Sequence, residues 1–163
     1  MKKHISIFGL FLCGVLLTGS FFYAVARGGD AAISRKEGDG NEGISFLENQ
    51  WGKAMQKAAA EHKYIFLDAY ATWCGPCKLL TRTTFRDKNV AAFFNEHFVS
   101  VSMDVEKGEG AELASKWGIR AMPTLLFLDS AGEPVVRSIG YLGAEELLAL
   151  GKQALGKDGK QQK

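Results

Sequence analysis

Cys74 and Cys77, three positions apart in "YATWCGPCKLL", are residues whose type and spacing could do chemistry. Three uses are open to such a pair. A closed structural zinc site takes four ligands. Beyond residue 26, however, the chain offers only these cysteines, His62 and His97 as Cys or His ligands, with the histidines 35 positions apart. A structural staple gains little from so short a ring, because the stabilisation grows with the loop that is closed. A redox pair suits the local physics best. If a helix begins at the motif, Cys74 sits where unpaired N–H groups and the helix dipole favour a negative sulfur. That lowers the thiol pKa and makes Cys74 a nucleophile at neutral pH. Cys77 lies one turn further on and can face the first sulfur. Pro76 suits an early helical position, and Trp73 sets apolar surface beside the sulfur. On this reading Cys74 is exposed at the helix start and Cys77 is tucked behind it.

The flanking segments supply that helix start. "ISFL" from Ile44 reads as a short strand, and apolar residues recur at helical spacing from Gln50 to about His62. "YIFLDAY", Tyr64 to Tyr70, reads as a strand buried on both faces. The cysteine segment follows, continuing as helix from Lys78 to Phe85. Asp87 is placed to cap a helix running from about Asn89 to His97. "FVSVSMDV" alternates as a strand does, and "GAELASKWG" reads as a helix closed by Gly118. "TLLFLD" and "PVVRSIG" form a hairpin around "SAGE", and a last helix runs from Ala144 to about Leu155. The motif therefore lies where a buried strand ends and a helix begins. Asp68 stands inside that otherwise apolar strand, so its carboxyl is expected to be buried with a raised pKa.

"WCGPCK" after an apolar strand resembles the thioredoxin family, and the element order matches that fold over residues 44–155. The resemblance implies an α/β protein with a central mixed sheet of four to five strands, flanked by helices on both faces. Three further positions agree. Asp68 lies six residues before Cys74, where the family keeps a buried carboxylate. Met122-Pro123-Thr124 falls at the family's cis-proline. Gly140 matches the glycine of a third loop. By resemblance, Cys74 is the nucleophile, Cys77 the resolving cysteine of a Cys74–Cys77 disulfide, and Asp68 the acceptor of the Cys77 proton. Trp73, Gly75, Pro76, Met122, Pro123 and Gly140 would line the substrate groove, with Tyr141 and Leu142 beside it tuning which partner fits. One departure is the helix-kinking proline of short cytosolic thioredoxins, replaced here by about Arg82. "TFRDKNVAAFFNEHFVSVSMDVEKGEG" looks instead like the C-terminal domain of DsbD-type thiol-disulfide transporters. The Gly-Pro pair between the cysteines resembles that of the reducing members. The implied activity is reduction of protein disulfides, with a disulfide isomerase or a non-enzymatic binding module as alternatives. The implied partners are protein disulfides and a membrane electron donor of the DsbD/CcdA type.

The ends of the chain bear on where this would happen. Lys2 and Lys3 precede a run without charge from Ile5 to Ala26, ending in Ala24-Val25-Ala26. It reads as an export signal with a small-x-small cleavage site, or as a retained anchor, since roughly 20 apolar residues span a bilayer. Cys13 lies mid-run behind bulky Leu12 and reads as apolar filler. Both versions put the domain outside the cytoplasm, in a periplasm-like compartment. Residues 27–43 read as a flexible linker and residues 156–163 as a disordered tail. Without the first 26 residues, 18 basic residues face 18 acidic ones. That balance gives no basic face for nucleic acid. No nucleotide-binding motif is present, so no flavin or nicotinamide cofactor is expected, and no metal.

Overall fold

The computed structural model describes residues 43–156. The leader or anchor of residues 1–26 with Cys13, the linker up to residue 42 and the tail beyond Gly156 lie outside the described residues.

The strands are β1 (Phe46–Glu48), β2 (Tyr64–Tyr70), β3 (Phe98–Asp104), β4 (Thr124–Leu128) and β5 (Pro134–Ile139). They form one sheet in the order β1-β3-β2-β4-β5. β3 is parallel to both β1 and β2, β4 is antiparallel to β2, and β5 is antiparallel to β4. The helices are α1 (Trp51–Glu61), α2 (Gly75–Arg82), α3 (Lys88–His97), α4 (Gly108–Lys116) and α5 (Ala144–Leu155), with a 3-10 turn at Thr84–Arg86.

Alternation along the strands sends successive side chains to opposite faces. Ile65, Leu67, Val99, Val101, Leu126 and Leu128 pack on one face with Ala54 and Ala58 of α1, and Leu113 of α4 borders that cluster. Phe66, Leu125 and Phe127 pack on the other with Leu80 of α2, Phe94 of α3 and Leu147 of α5. Phe66 meets Phe94 edge-on at 4.7 Å, the tilted geometry that aromatic quadrupoles prefer. The sheet is thus mixed, five-stranded and covered on both faces.

Several boundaries depart from the sequence expectation: α4 starts at Gly108 rather than Gly110, β3 ends at Asp104 rather than Val105, and two further shifts have a visible cause. β1 begins at Phe46 rather than Ile44 and takes in Glu48, while the Ile44 N–H donates to the Phe85 carbonyl at 2.8 Å. α2 stops at Arg82 rather than running to Phe85. The Thr83 hydroxyl donates back to the Leu79 carbonyl and the Thr84 hydroxyl to the Leu142 carbonyl, both at 2.7 Å. Side-chain bonds of this kind compete with the helix. Asp87 does cap α3, accepting from the N–H groups of Asn89 and Val90.

Register fixes where the loops emerge. Ala69 pairs with both Met103 and Thr124, and Thr124 with Ile139. The ends of β2, β3 and β5 and the start of β4 therefore share one end of the sheet. His62 and His97 precede β2 and β3, so they stand at the opposite end, about 20 Å of strand away from the cysteines.

Candidate active site

Cys74 is the N-cap of α2, with extended backbone, and its Sγ accepts the Cys77 N–H at 3.2 Å. The Cys74 N–H donates to the Ala71 carbonyl at 3.0 Å, closing the turn out of β2. The sulfurs are bonded at 1.98 Å, with the Cα atoms 5.3 Å apart. The expected contrast in exposure is absent: Cys74 is 2% exposed and Cys77 4%. Both pack with Ala71, and Tyr70, Val105 and Met122 border that cluster. Any difference in reactivity between the two sulfurs must come from their place on the helix, not from access.

Asp68 lies on the α2 side of the sheet and is 4% exposed, with Oδ1 lacking a hydrogen-bond partner. Burial, and after it the negative charge of Glu48, push its carboxyl up to about 7. A cavity of about 540 Å³ joins Asp68 to Cys77, with Glu48, Ser102, Lys78 and Arg86 also on its wall. The carboxyl therefore shares space with the second cysteine and has room for water. Glu48 is a residue that the sequence reading missed. With the first strand ended at Leu47, nothing set Glu48 on the sheet in one row with Ser102 and Asp68.

Three loops meet at this end. The Met122–Pro123 bond is cis. Pro123 is buried, and Met122 is half-buried against the cysteine pair. The Gly140 N–H donates to the Pro123 carbonyl at 2.8 Å, tying the third loop to the second. Gly140 has φ +96°, which favours glycine. Gly75 and Pro76 are exposed, with open space where a Gly75 Cβ would point. Trp73 is 65% exposed, and its indole N–H donates to Glu106 Oε1 at 2.9 Å. Glu106 is held in turn by its N–H to Asp104 Oδ1 at 3.1 Å. Sequence reasoning missed Glu106 too, because a charged residue just past a strand carries no sign of a tryptophan 33 positions earlier.

Tyr141 is exposed and shares a 3.3 Å hydroxyl hydrogen bond with Thr83 at the end of α2. Leu142, beside it, is half-buried and packs against the core cluster on the α2 side of the sheet. Leu79 on α2 and Ile139 at the end of β5 are exposed apolar side chains near these loops that the sequence reading did not single out.

A family model described as a thioredoxin-like domain matches residues 51–155. Thioredoxin-1 of Drosophila melanogaster is 44% identical over 98 residues, covering 60% of this chain and 81% of that one. The thiol:disulfide interchange protein DsbD of Yersinia pestis is 33% identical over 94 residues, covering 56% of this chain but only 16% of DsbD. A solution structure of a candidate disulphide-isomerase from Bacteroides thetaiotaomicron is 49% identical, covers 69% of this chain and 93% of that one, and superposes with a TM-score of 0.62. A disulfide-bonded cysteine pair with CXXC spacing at a helix start, on a mixed five-stranded sheet and in a chain matched by the thioredoxin-like domain model, defines a thiol-disulfide oxidoreductase of thioredoxin fold. The chain belongs to the thioredoxin-like domain family.

Proposed function

We propose that the protein is an exported reductase of protein disulfides. The observation that carries this reading is the cavity that places the buried carboxyl of Asp68 with Cys77, beside a Gly75-Pro76 dipeptide that brings no cation between the cysteines. A carboxylate near a sulfur disfavours a second negative charge there. It therefore disfavours the thiolate form and favours the disulfide, which makes the dithiol a reductant.

In the reaction, the Cys74 thiolate attacks one sulfur of a substrate disulfide. The substrate S–S bond breaks, and the leaving sulfur takes a proton from solvent. Cys77 then gives its proton to the Asp68 carboxylate and attacks Cys74 Sγ. The Cys74–Cys77 bond forms as the bond to substrate breaks, and the second substrate sulfur leaves as a thiolate that takes a proton from solvent, so two electrons and two protons in all pass to the substrate. Trp73, Gly75, Pro76, Met122, Pro123 and Gly140 form the groove that holds the substrate segment. A membrane dithiol donor of the DsbD/CcdA type returns the pair to its reduced form, a reading that the partial likeness to DsbD supports.

Titration of the pair against a dithiothreitol couple is expected to give a midpoint near that of thioredoxin, about −270 mV, and far from the −120 mV or so of a strong oxidant. Cys74→Ser is expected to abolish turnover of a protein disulfide. A midpoint at the oxidising end would contradict the reductase reading. The likeness to the Bacteroides protein favours a second reading, isomerase. Scrambled ribonuclease separates the two, since an isomerase added in its reduced form restores ribonuclease activity with no net consumption of reductant.

Export rests on the leader. Cell fractionation with a C-terminal tag is expected to find the domain outside the cytoplasm, either starting at Arg27 or full-length in the membrane. Tagged protein in the cytoplasm would contradict export.

A further inference from the structure

The register of the sheet sets three polar side chains in one row. Glu48 on β1 pairs with Ser102 on β3, and Ser102 pairs with Asp68 on β2. Facing residues of neighbouring strands point to the same side, so all three look toward α2. The Ser102 hydroxyl donates to Glu48 Oε2 at 2.5 Å, which fixes the glutamate over the sheet. All three line the 540 Å³ cavity that also reaches Cys77. Glu48 lies at its exposed rim, and Asp68, buried with Oδ1 unpartnered, lies at its back.

We infer that Glu48, clamped by Ser102, is a positioning residue that acts through Asp68, setting the pH at which the buried carboxyl can take the Cys77 proton. This rests on the role given to Asp68 under the proposed function. A base works best when its pKa lies near the working pH. Burial alone would hold on to a proton, and a fixed negative charge across two strands adds to that hold. The cavity then offers the proton a way out: once Cys77 has given its proton to Asp68 and bonded to Cys74, water at the Glu48 rim carries the proton to solvent.

Other groups face this space. Lys78 on α2 and Arg86 on the 3-10 turn are cations on the cavity wall, and they oppose Glu48. Tyr70 lines the cavity on the β2 side. Asp104, the next inward-facing acid on β3, is ion-paired with Lys107 at 2.8 Å, which compensates its charge.

The test follows the Asp68 carboxyl itself. With the full chain labelled at aspartate carboxyl carbon, NMR titration gives the Asp68 midpoint, assigned by its loss in Asp68→Asn. Glu48→Gln keeps the shape and the Ser102 contact. It is expected to lower the Asp68 midpoint by roughly half a unit to one unit. Ser102→Ala is expected to lower it less, by letting Glu48 swing outward. Lys78→Gln is expected to raise it. In stopped-flow, the pH profile for resolution of a mixed disulfide is expected to move with the midpoint in each variant, while mixed-disulfide formation does not. An Asp68 midpoint unmoved by Glu48→Gln overturns the inference whatever the activity of the protein. So does a midpoint that falls while the resolution profile stays in place. Failure of the wild type to reduce any disulfide would instead sink the functional reading, and the titration would still decide whether Glu48 governs Asp68.

Discussion

A carboxyl buried behind a disulfide works against the fold once it ionises, and Asp68 is such a group. Its pKa is raised from 3.8 to about 7, first by burial and then by Glu48. Between those values the folded state binds a proton that the unfolded chain has already lost. Stability from this group is therefore fully present below about pH 4 and is lost as the pH rises through 7. Each unit is about 1.4 kcal/mol, so the loss by pH 8 approaches roughly 4 kcal/mol. Asp68→Asn removes the ionisation. The variant is expected to be more stable than the wild type at pH 8 by about 2–4 kcal/mol, with the gap closing toward pH 4, in urea unfolding curves at the two pH values. A gap independent of pH would mean that Asp68 stays charged in the fold. The location of Asp68 was readable from sequence, because an acid inside a seven-residue apolar strand has nowhere else to go. Its neighbour Glu48 was not, because strand pairing across 54 positions leaves no local mark. The burial of Cys74 was also hidden, since its cover includes Val105 and Met122 from two other loops.

The elements were easier to read, because their signals are local. β2 matches the expected Tyr64–Tyr70, and α5 matches Ala144–Leu155. Both rest on continuous patterns, an apolar strand and a helical stripe. Two of the misplaced boundaries were set by distant partners: the start of β1, which follows a bond to Phe85, and the end of α2, where Thr84 turns to Leu142. Glycine separates local from distant causes in the same way. At Gly110 in α4 a Cβ would stand 2.0 Å from the Asp104 carbonyl oxygen at the end of β3. Neither backbone can yield cheaply, so Gly110→Ala is expected to cost about 2 kcal/mol or more. It would also push on the turn that carries Glu106, and so loosen Trp73. Gly52 in α1 has nothing within 4 Å of its Cβ position. There Gly52→Ala is expected to be neutral or to stabilise by up to about 1 kcal/mol, through helix propensity alone. Denaturant unfolding followed by tryptophan fluorescence compares them. A Gly110→Ala protein as stable as the wild type would mean that α4 does not press on β3 as described.

Across the described domain, residues far apart in sequence become one surface because β4 runs back against β2 and β5 returns along β4. The turn at Ala71–Cys74, the segment ending in Pro123 and the loop from Gly140 all leave the same end of the sheet. The Gly140–Pro123 hydrogen bond and the Tyr141–Thr83 contact lock the third loop to the second and to α2. On this end stand Trp73, Leu79, Ile139 and Tyr141, all exposed, around half-buried Met122 and the covered sulfur pair. The sequence reading assembled most of this surface through a resemblance at four separated motifs. It missed Leu79 and Ile139, whose exposure depends on what the other loops leave uncovered. Cys74 and Cys77 are only 2% and 4% exposed, and in the groove we propose a substrate disulfide reaches them by settling on this rim and shifting Met122. Met122 is the side chain to test, because it touches the sulfur cluster without being part of the chemistry. Met122→Lys is expected to slow mixed-disulfide formation about tenfold, since a charge replaces adaptable apolar contact, a difference of about 1.4 kcal/mol. The unfolding curve should change little, because the lysine can swing into solvent. Amide NMR signals should be perturbed by a trapped peptide disulfide in residues 71–77, 121–123 and 139–141, and hardly at all along α5. Perturbations along α5, or a Met122→Lys protein that reacts at the wild-type rate, would place the substrate on another face and leave the rim with only a packing role.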